Sequence, residues 1–274
     1  MSLRKVSFLA MILLAGTRPG PINGQEDFRN TDRGRPLFTE DAYPIELREW
    51  ELELGGRGRL VEGETGSGAG VTAGLKTGLF LNTQVGFEIE SVLERYATGT
   101  ELGLGGAGVS LMHGLRRETW RGPALAVRAD AHTPGSQGAG RDDWAFDLTG
   151  IMTRSFDRLR MHANVGHRFA GDGDGGDNWR AGLAVDYPVG LFSRLVMADI
   201  YAEVPVDGGR ARVWLELGTR WQLTNASVVD LGLATRLDEW DAGRPNLELT
   251  VGFARAFGVP GLVRVPSYPE PNLH

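Results

Sequence analysis

From Asn246 to Phe257 the chain alternates between two kinds of side chain, with Arg255 the exception on the apolar face. Leu247, Leu249, Val251, Phe253 and Phe257 fall on one face at period two, while Glu248, Thr250, Gly252, Ala254 and Ala256 fall on the other. That pattern requires a strand with one apolar face and one polar or small face. The segment is twelve residues long and ends on a phenylalanine, enough to cross a bilayer at a tilt. Alone, it would serve equally as the last strand of a soluble sandwich or lipocalin.

The same alternation recurs along the chain and predicts about twelve strands. The first covers Ile45 to Leu54, with Trp50, Leu52 and Leu54 opposite Glu49, Glu51 and Glu53, and a glycine-rich loop from Gly55 to Gly70 follows it. In the third, Val85, Phe87 and Ile89 oppose Gln84, Glu88 and Glu90. A polar loop around Thr98 to Thr100 leads into the fourth, Leu102 to Leu115. The fifth sets Leu125, Val127, Ala129 and Ala131 against Arg128, Asp130 and His132, and the seventh sets Met161, Ala163 and Val165 against Arg160, His162 and Asn164. The tenth carries Val213, Leu215 and Leu217 opposite Arg212, Glu216 and Arg220, and the eleventh Leu231 and Leu233 opposite Asp230 and Arg236.

Predicted connections alternate between longer, polar stretches and short turns, the habit of bacterial barrels. Aromatic residues collect near predicted strand ends, Trp144, Phe169, Trp179 and Trp240 at one rim and Phe156, Tyr187, Phe192, Trp221 and Phe257 at the other. Two such girdles flank the lipid band of a membrane barrel. Trp50 and Trp214 do not fit the girdles. These regularities predict an all-β fold, a transmembrane up-and-down antiparallel β-barrel of about 12 strands whose last strand pairs with its first.

The ends fit export. Arg4 and Lys5 precede an apolar run from Val6 to Gly16, then small residues and the breakers Pro19, Gly20 and Pro21. Residues 1–24 therefore read as a signal peptide, cleaved somewhere between Ala15 and Gly24. Residues 25–44 are charged and aperiodic, either a periplasmic lead-in or a plug. The barrel would occupy 45–257 and a tail 258–274, whose Pro260, Pro266, Pro269 and Pro271 bar it from a central strand. The expected location is the outer membrane of a Gram-negative bacterium, among outer-membrane lipids and lipopolysaccharide and after passage through the barrel-assembly machinery. A net charge of −6 argues against a nucleic-acid partner, and the absence of cysteine removes thiol catalysis, disulfides and Cys-ligated metals.

Chemistry-bearing residues concentrate on the polar faces. Arg128, Asp130, His132, Arg160, His162, Asn164, Arg212, Glu216 and Arg236 would line a lumen that orders polar or anionic groups. They would equally form self-satisfying ion pairs that fill it. His132 and Asn164 with Ser155 or Ser193 supply the residue types of a Ser–His–Asn hydrolase, but no Gly-x-Ser-x-Gly elbow accompanies them. Gly103 to Gly108 spells a dinucleotide-binding string, yet its flanks continue as strand, so small residues packing in a crowded barrel is the better reading. Asp172, Asp174 and Asp177 lack calcium-loop spacing, and five scattered histidines give no metal site. No cofactor and no enzymatic activity are expected.

Several short motifs resemble the outer-membrane barrels labelled "MetA-pathway of phenol degradation". They are Thr31-Asp32-Arg33 with Phe38-Thr39-Glu40, Pro123 to Ala126 ending at Thr133-Pro134-Gly135, Leu159 to Gly166, and Gly252 to Phe257. The resemblance spans most of the mature chain, though Gly34-Arg35 interrupt the first motif and a tail follows Phe257. It implies a single-chain barrel of about a dozen strands passing small molecules, aromatic or hydrophobic compounds among them. The alternatives are a non-conducting structural or adhesion barrel and, below it, an outer-membrane lipid hydrolase.

Overall fold

Alternating side chains bury one face per strand, and twelve such strands close on themselves. The computed structural model describes residues 29–61, 68–96, 99–136, 143–170, 176–190, 193–238 and 246–258. The expected signal peptide, most of the tail, Phe192, Trp240, Asp172 and Asp174 lie outside these. The strands are β1 (Glu49–Val61), β2 (Gly68–Phe80), β3 (Thr83–Tyr96), β4 (Gly99–Arg116), β5 (Ala124–His132), β6 (Ala145–Phe156), β7 (Leu159–Ala170), β8 (Asn178–Val189), β9 (Arg194–Pro205), β10 (Arg212–Thr224), β11 (Ser227–Arg236) and β12 (Asn246–Gly258). Each pairs antiparallel with its sequence neighbours, and β1 pairs with β12 from Glu49↔Gly258 to Val61↔Asn246. The twelve-stranded all-β barrel is therefore closed, and the strand that first suggested it is the one that seals it. Closure leaves no unpaired sheet edge.

Residues 81–82, 157–158, 190–193 and 225–226 connect strands at one end, hereafter the turn end; Asn82 and Asp157 adopt left-handed φ angles of 56° there. Residues 62–67, 133–144, 171–177, 206–211 and 237–245 make longer connections at the loop end. Two connections break the alternation. The β3–β4 connection at the loop end spans only residues 97–98, because β4 begins at Gly99 where a polar loop was expected. The β4–β5 connection at the turn end is long, residues 117–123.

The first strand also departs from expectation. Gly55, Gly56 and Gly58 belong to β1 rather than to a loop, and Ile45 lies below the strand, buried with its N–H donating to Gln84 Oε1 at 3.0 Å. Gly55 faces inward, where an added Cβ would meet the Arg35 side chain at 3.7 Å. The glycine-rich string from Gly103 lies within β4, with Gly105 as the extra residue of a bulge opposite Glu90 and Ser91.

Outward faces are apolar around most of the cylinder. Phe87, Ile89, Leu111, Leu148, Val165, Leu183, Ile200, Leu217, Leu233 and Val251 are exposed on β3, β4 and β6 to β12. A belt of this size calls for an apolar surrounding rather than water. Trp144, Phe169 and Trp179 are exposed at the loop end, and Phe156 and Tyr187 at the turn end. Trp50 pairs with Phe257 in register and so sits at the turn-end rim. Trp214 stands outside the girdles because it points inward, against Phe38 and Tyr201.

Candidate functional site in the barrel lumen

Inward faces carry the charges, and residues 29–48 run through the middle of them. This segment enters at the turn end, where Arg29 Nη2 donates to Arg158 O at 2.9 Å and to Asp186 Oδ1 at 3.0 Å. It rises to Phe38 and returns to the turn end, where Arg48 N donates to Gly78 O at 2.8 Å just before β1. Its limbs are tied together, Asp41 N to Thr31 O at 3.2 Å and Thr31 N to Asp41 Oδ2 at 2.9 Å. The lumen is therefore occupied by a plug that is continuous with the wall.

The plug is apolar where the wall is small. Leu37 packs with Ala184, Leu195 and Met197, and Ala42 with Met112, Ala124, Ala126 and Ile151. Pro36 wedges against Gly218 and Gly232, where any Cβ would collide with its ring. Elsewhere many of its polar groups are paired, as burial in a narrow lumen favours. Thr39 N and Oγ1 donate to Asp199 at 2.9 and 2.8 Å, Phe38 N donates to Glu216 Oε2 at 2.6 Å, and Ala42 N donates to Thr153 Oγ1 at 2.9 Å.

One ionic knot holds the plug against β1, β2, β10 and β11. Lys76 Nζ bridges Asp32 and Glu53 at 2.6 Å each, Arg35 pairs with Asp32 and Glu53, and Arg220 forks onto Asp230 at 2.5 and 3.1 Å. Asp32, Glu51 and Glu53 lie close enough to suggest a metal site. Lys76 already occupies the space between two of them, so the cluster is an ion-pair network. Burial pushes the Asp32 carboxyl up, but Lys76, Arg35 and Arg220 outweigh it and hold Asp32 well below the usual carboxylate range. Asp41 has weaker help: burial raises it to about 6, only partly opposed by Arg160, His162 and two backbone N–H groups. Burial, then Glu118, raise the Tyr43 phenol above its ordinary value.

Most of the residues expected to line the lumen touch the plug. Arg128 donates to Glu40 Oε2 at 2.7 Å and to Asp130 at 2.8 Å, and Asp130 also accepts from Arg33 at 3.3 Å. Arg160 Nε donates to Asp186 Oδ2 at 2.8 Å and faces Asp41 at 3.9 Å. Asn164, with its carboxamide turned to satisfy both groups, brackets the Glu40 backbone at 2.9 and 3.0 Å. Glu216 holds Phe38. His132 lies between Asp147 and Glu88 at 3.3 and 3.4 Å. Arg212 pairs with Glu203 at 3.3 Å, and Arg236 pairs with Asp238 at 2.6 Å while covering Trp214.

The Ser–His–Asn set does not assemble, because Ser155 Oγ donates to Glu118 at 2.8 Å. A different line does form: His162 contacts Thr153 Oγ1 at 3.0 Å and Asp186 Oδ2 at 2.8 Å. All three side chains are buried, and the threonine oxygen is already capped by Ala42 N–H. No substrate carbonyl can reach it, so the line braces the plug.

Sequence reasoning missed the plug's own partners, Asp32, Arg33, Arg35, Glu40 and Asp41. Inward glycines at 218, 232 and 252 were the available signal, since an empty lumen does not need them.

Two sizeable cavities lie among the described residues. The loop-end cavity, about 360 Å³, is bounded by Phe38, Arg57, Glu90, Arg168, Arg180 and Glu203, and the turn-end cavity, about 570 Å³, by Tyr43, Glu49, Asn82, Arg116 and Arg160. They share no lining residue. Over the former, Phe38 stacks on Tyr201 at 4.8 Å with the Arg57 guanidinium 4.5 Å from the Phe38 ring.

No family model matches this sequence, and no curated protein does. Among solved structures, the fold is similar to an outer membrane channel from Pseudomonas putida F1, with TM-score 0.61 and 11% identity over 83% of this chain and 100% of that one. It is also similar to the KdgM porin in complex with disordered oligogalacturonate, with TM-score 0.54 and 10% identity over 75% and 99% of the two chains. The NanC porin matches with TM-score 0.53 and 9% identity over 74% and 98%. The chain thus has the fold of outer-membrane barrel proteins.

Proposed function

We propose that this barrel is a passive channel for small molecules in the outer membrane of a Gram-negative bacterium, closed in the present state by residues 29–48. The turn end then faces the periplasm and the loop end the exterior, with lipopolysaccharide around the loop-end girdle. The observation that carries the reading is the division of a polar lumen into two open cavities by a segment that is tethered at β1 and otherwise held through noncovalent contacts. A purely structural barrel would gain nothing from two solvated vestibules.

The lumen selects by charge before it selects by size. Acidic Glu53, Glu88 and Glu90 stand on β1 and β3, whereas Arg168 and Arg180 stand on β7 and β8. A small solute with separated charges aligns across such a field. The Phe38–Tyr201–Trp214 group adds a surface on which a planar ring can stack, which brings aromatic compounds within the solute class. The KdgM and NanC folds come from porins, which agrees with the reading without fixing the solute. A non-conducting barrel is favoured by the fully buried lumen charges Arg220, Asp230, Asp199 and Asp186.

Single-channel recording after reconstitution decides between them. Discrete openings, or solute flux into liposomes, are the expected result. A barrel that inserts and stays silent across pH and voltage would end the channel reading.

A further inference from the structure

The β4–β5 connection is the long exception at the turn end, and its residues are not disordered filler. Thr119 and Gly122 exchange backbone hydrogen bonds at 2.9 and 3.1 Å, and Arg116 Nε donates to Pro123 O at 2.9 Å. Arg154, from the outward face of β6, donates to Thr119 O at 2.6 Å and to Trp120 O at 3.2 Å. A turn fixed at four points presents Trp120 with 81% of its surface exposed. Burying such a ring is favourable wherever an apolar phase is within reach.

That phase is adjacent. Leu115 and Phe156, at the ends of β4 and β6, are exposed beside the turn and belong to the apolar belt. The charge around the tryptophan is basic: Arg116 at the end of β4, Arg117 and Arg121 within the turn and Arg154 behind it, against Glu118 alone. Glu118 is already engaged, accepting from Ser155 and Tyr43 and facing Arg154 at 3.5 Å. Arg121 lies 4.4 Å from the Trp120 ring centroid and, among the described residues, has no carboxylate partner. Its guanidinium is thus held at the tryptophan with its fork of N–H donors open.

We propose that this turn is a binding site for the phosphate of an anionic phospholipid in the periplasmic leaflet, resting on the membrane orientation given above. Trp120 lies at headgroup depth, as tryptophans do at bilayer interfaces, and Arg121 with Arg116 grips the phosphate oxygens in a charge-assisted contact. Arg154 positions the turn and touches no lipid.

The test uses the full chain purified in detergent and doped with phosphatidylglycerol or phosphatidylcholine, with retained lipid counted by native mass spectrometry. Wild type should retain phosphatidylglycerol preferentially. Arg121→Gln should lower that preference about fivefold, the contribution of one arginine near an anionic surface, and Arg116→Gln with Arg121→Gln should nearly abolish it. Trp120→Leu should reduce quenching by brominated phosphatidylglycerol. Heat-modified gel mobility confirms that each variant is folded, and Gly58→Ala, far from the turn, serves as control. Equal retention of both lipids by wild type, or unchanged preference in the double variant, would overturn the proposal. A protein that remains soluble without detergent would instead defeat the membrane reading itself, so the two failures are distinguishable.

Discussion

Gly218→Ala should open the lumen while leaving the barrel intact. Gly218 is an inward position of β10, and its φ is not in the left-handed region, so the strand accepts alanine without backbone strain. The new methyl would stand 2.5 Å from Pro36 Cγ and 3.1 Å from Pro36 Cβ, where ordinary contact needs 3.4–4 Å. A proline ring cannot swing aside. Pro36 must move as a unit, dragging Arg35, whose carbonyl accepts from Arg220 at 3.3 Å, and Leu37, which is fully buried. Forcing one methylene into such a contact costs about 1–3 kcal/mol, and that cost falls on the plugged state alone. The ratio of open to plugged barrels should rise roughly 5- to 150-fold. The assay is open probability in planar bilayers, beside Gly58→Ala, whose Cβ meets nothing within 4 Å. Equal open probability in Gly218→Ala, Gly58→Ala and wild type, with normal heat-modified mobility, would show that the plug does not gate the lumen.

Phe38→Ala removes the stack on Tyr201 and the Arg57 contact, and should destabilise the plug tip by about 1–3 kcal/mol, read as longer openings. Acidification should favour closure. Asp41 rises to about 6 in the docked plug from an ordinary 3.8, so docking is strongest below the ordinary value and weakens as pH climbs through 6. The ceiling is about 3 kcal/mol; open probability should fall between about pH 7.5 and about pH 4.5, and Asp41→Asn should flatten the dependence. Arg220→Met leaves the buried Asp230 with Arg35 at 3.6 Å in place of a fork and should cost about 3–5 kcal/mol in urea unfolding, with recovery on adding Asp230→Leu. No recovery would mean that Arg220 acts through Asp32 rather than through Asp230.

Strand facing was legible because period two is a local property: Asp147 and Thr149 point in while Phe146 and Leu148 point out, as alternation in one segment requires. Strand ends were less so. Alternation says nothing about glycine, and Gly55 to Gly58 extend β1 because both neighbouring strands pair with it. Arg128 and Glu216 are buried on inward faces, as alternation requires, but their partners were not readable. Arg128 meets Glu40 across 88 positions of sequence and Glu216 meets Phe38 across 178. A segment placed wholly by such distant contacts carries no period of its own, which left residues 25–44 open between lead-in and plug.

Both limbs of the plug leave through the same end of the cylinder, Arg29 beside Arg158 and Arg48 beside Gly78. Nothing in the described segment is threaded through the bore, so it resembles a folded strap more than a bolt. In the channel proposed above, it would withdraw and return without parting a single pair of strands. Once out, it remains tethered to Glu49, and its effective concentration at the mouth stays near the millimolar level of a short linker. Closing is then a first-order event, set by the molecule itself and indifferent to how many copies the membrane holds.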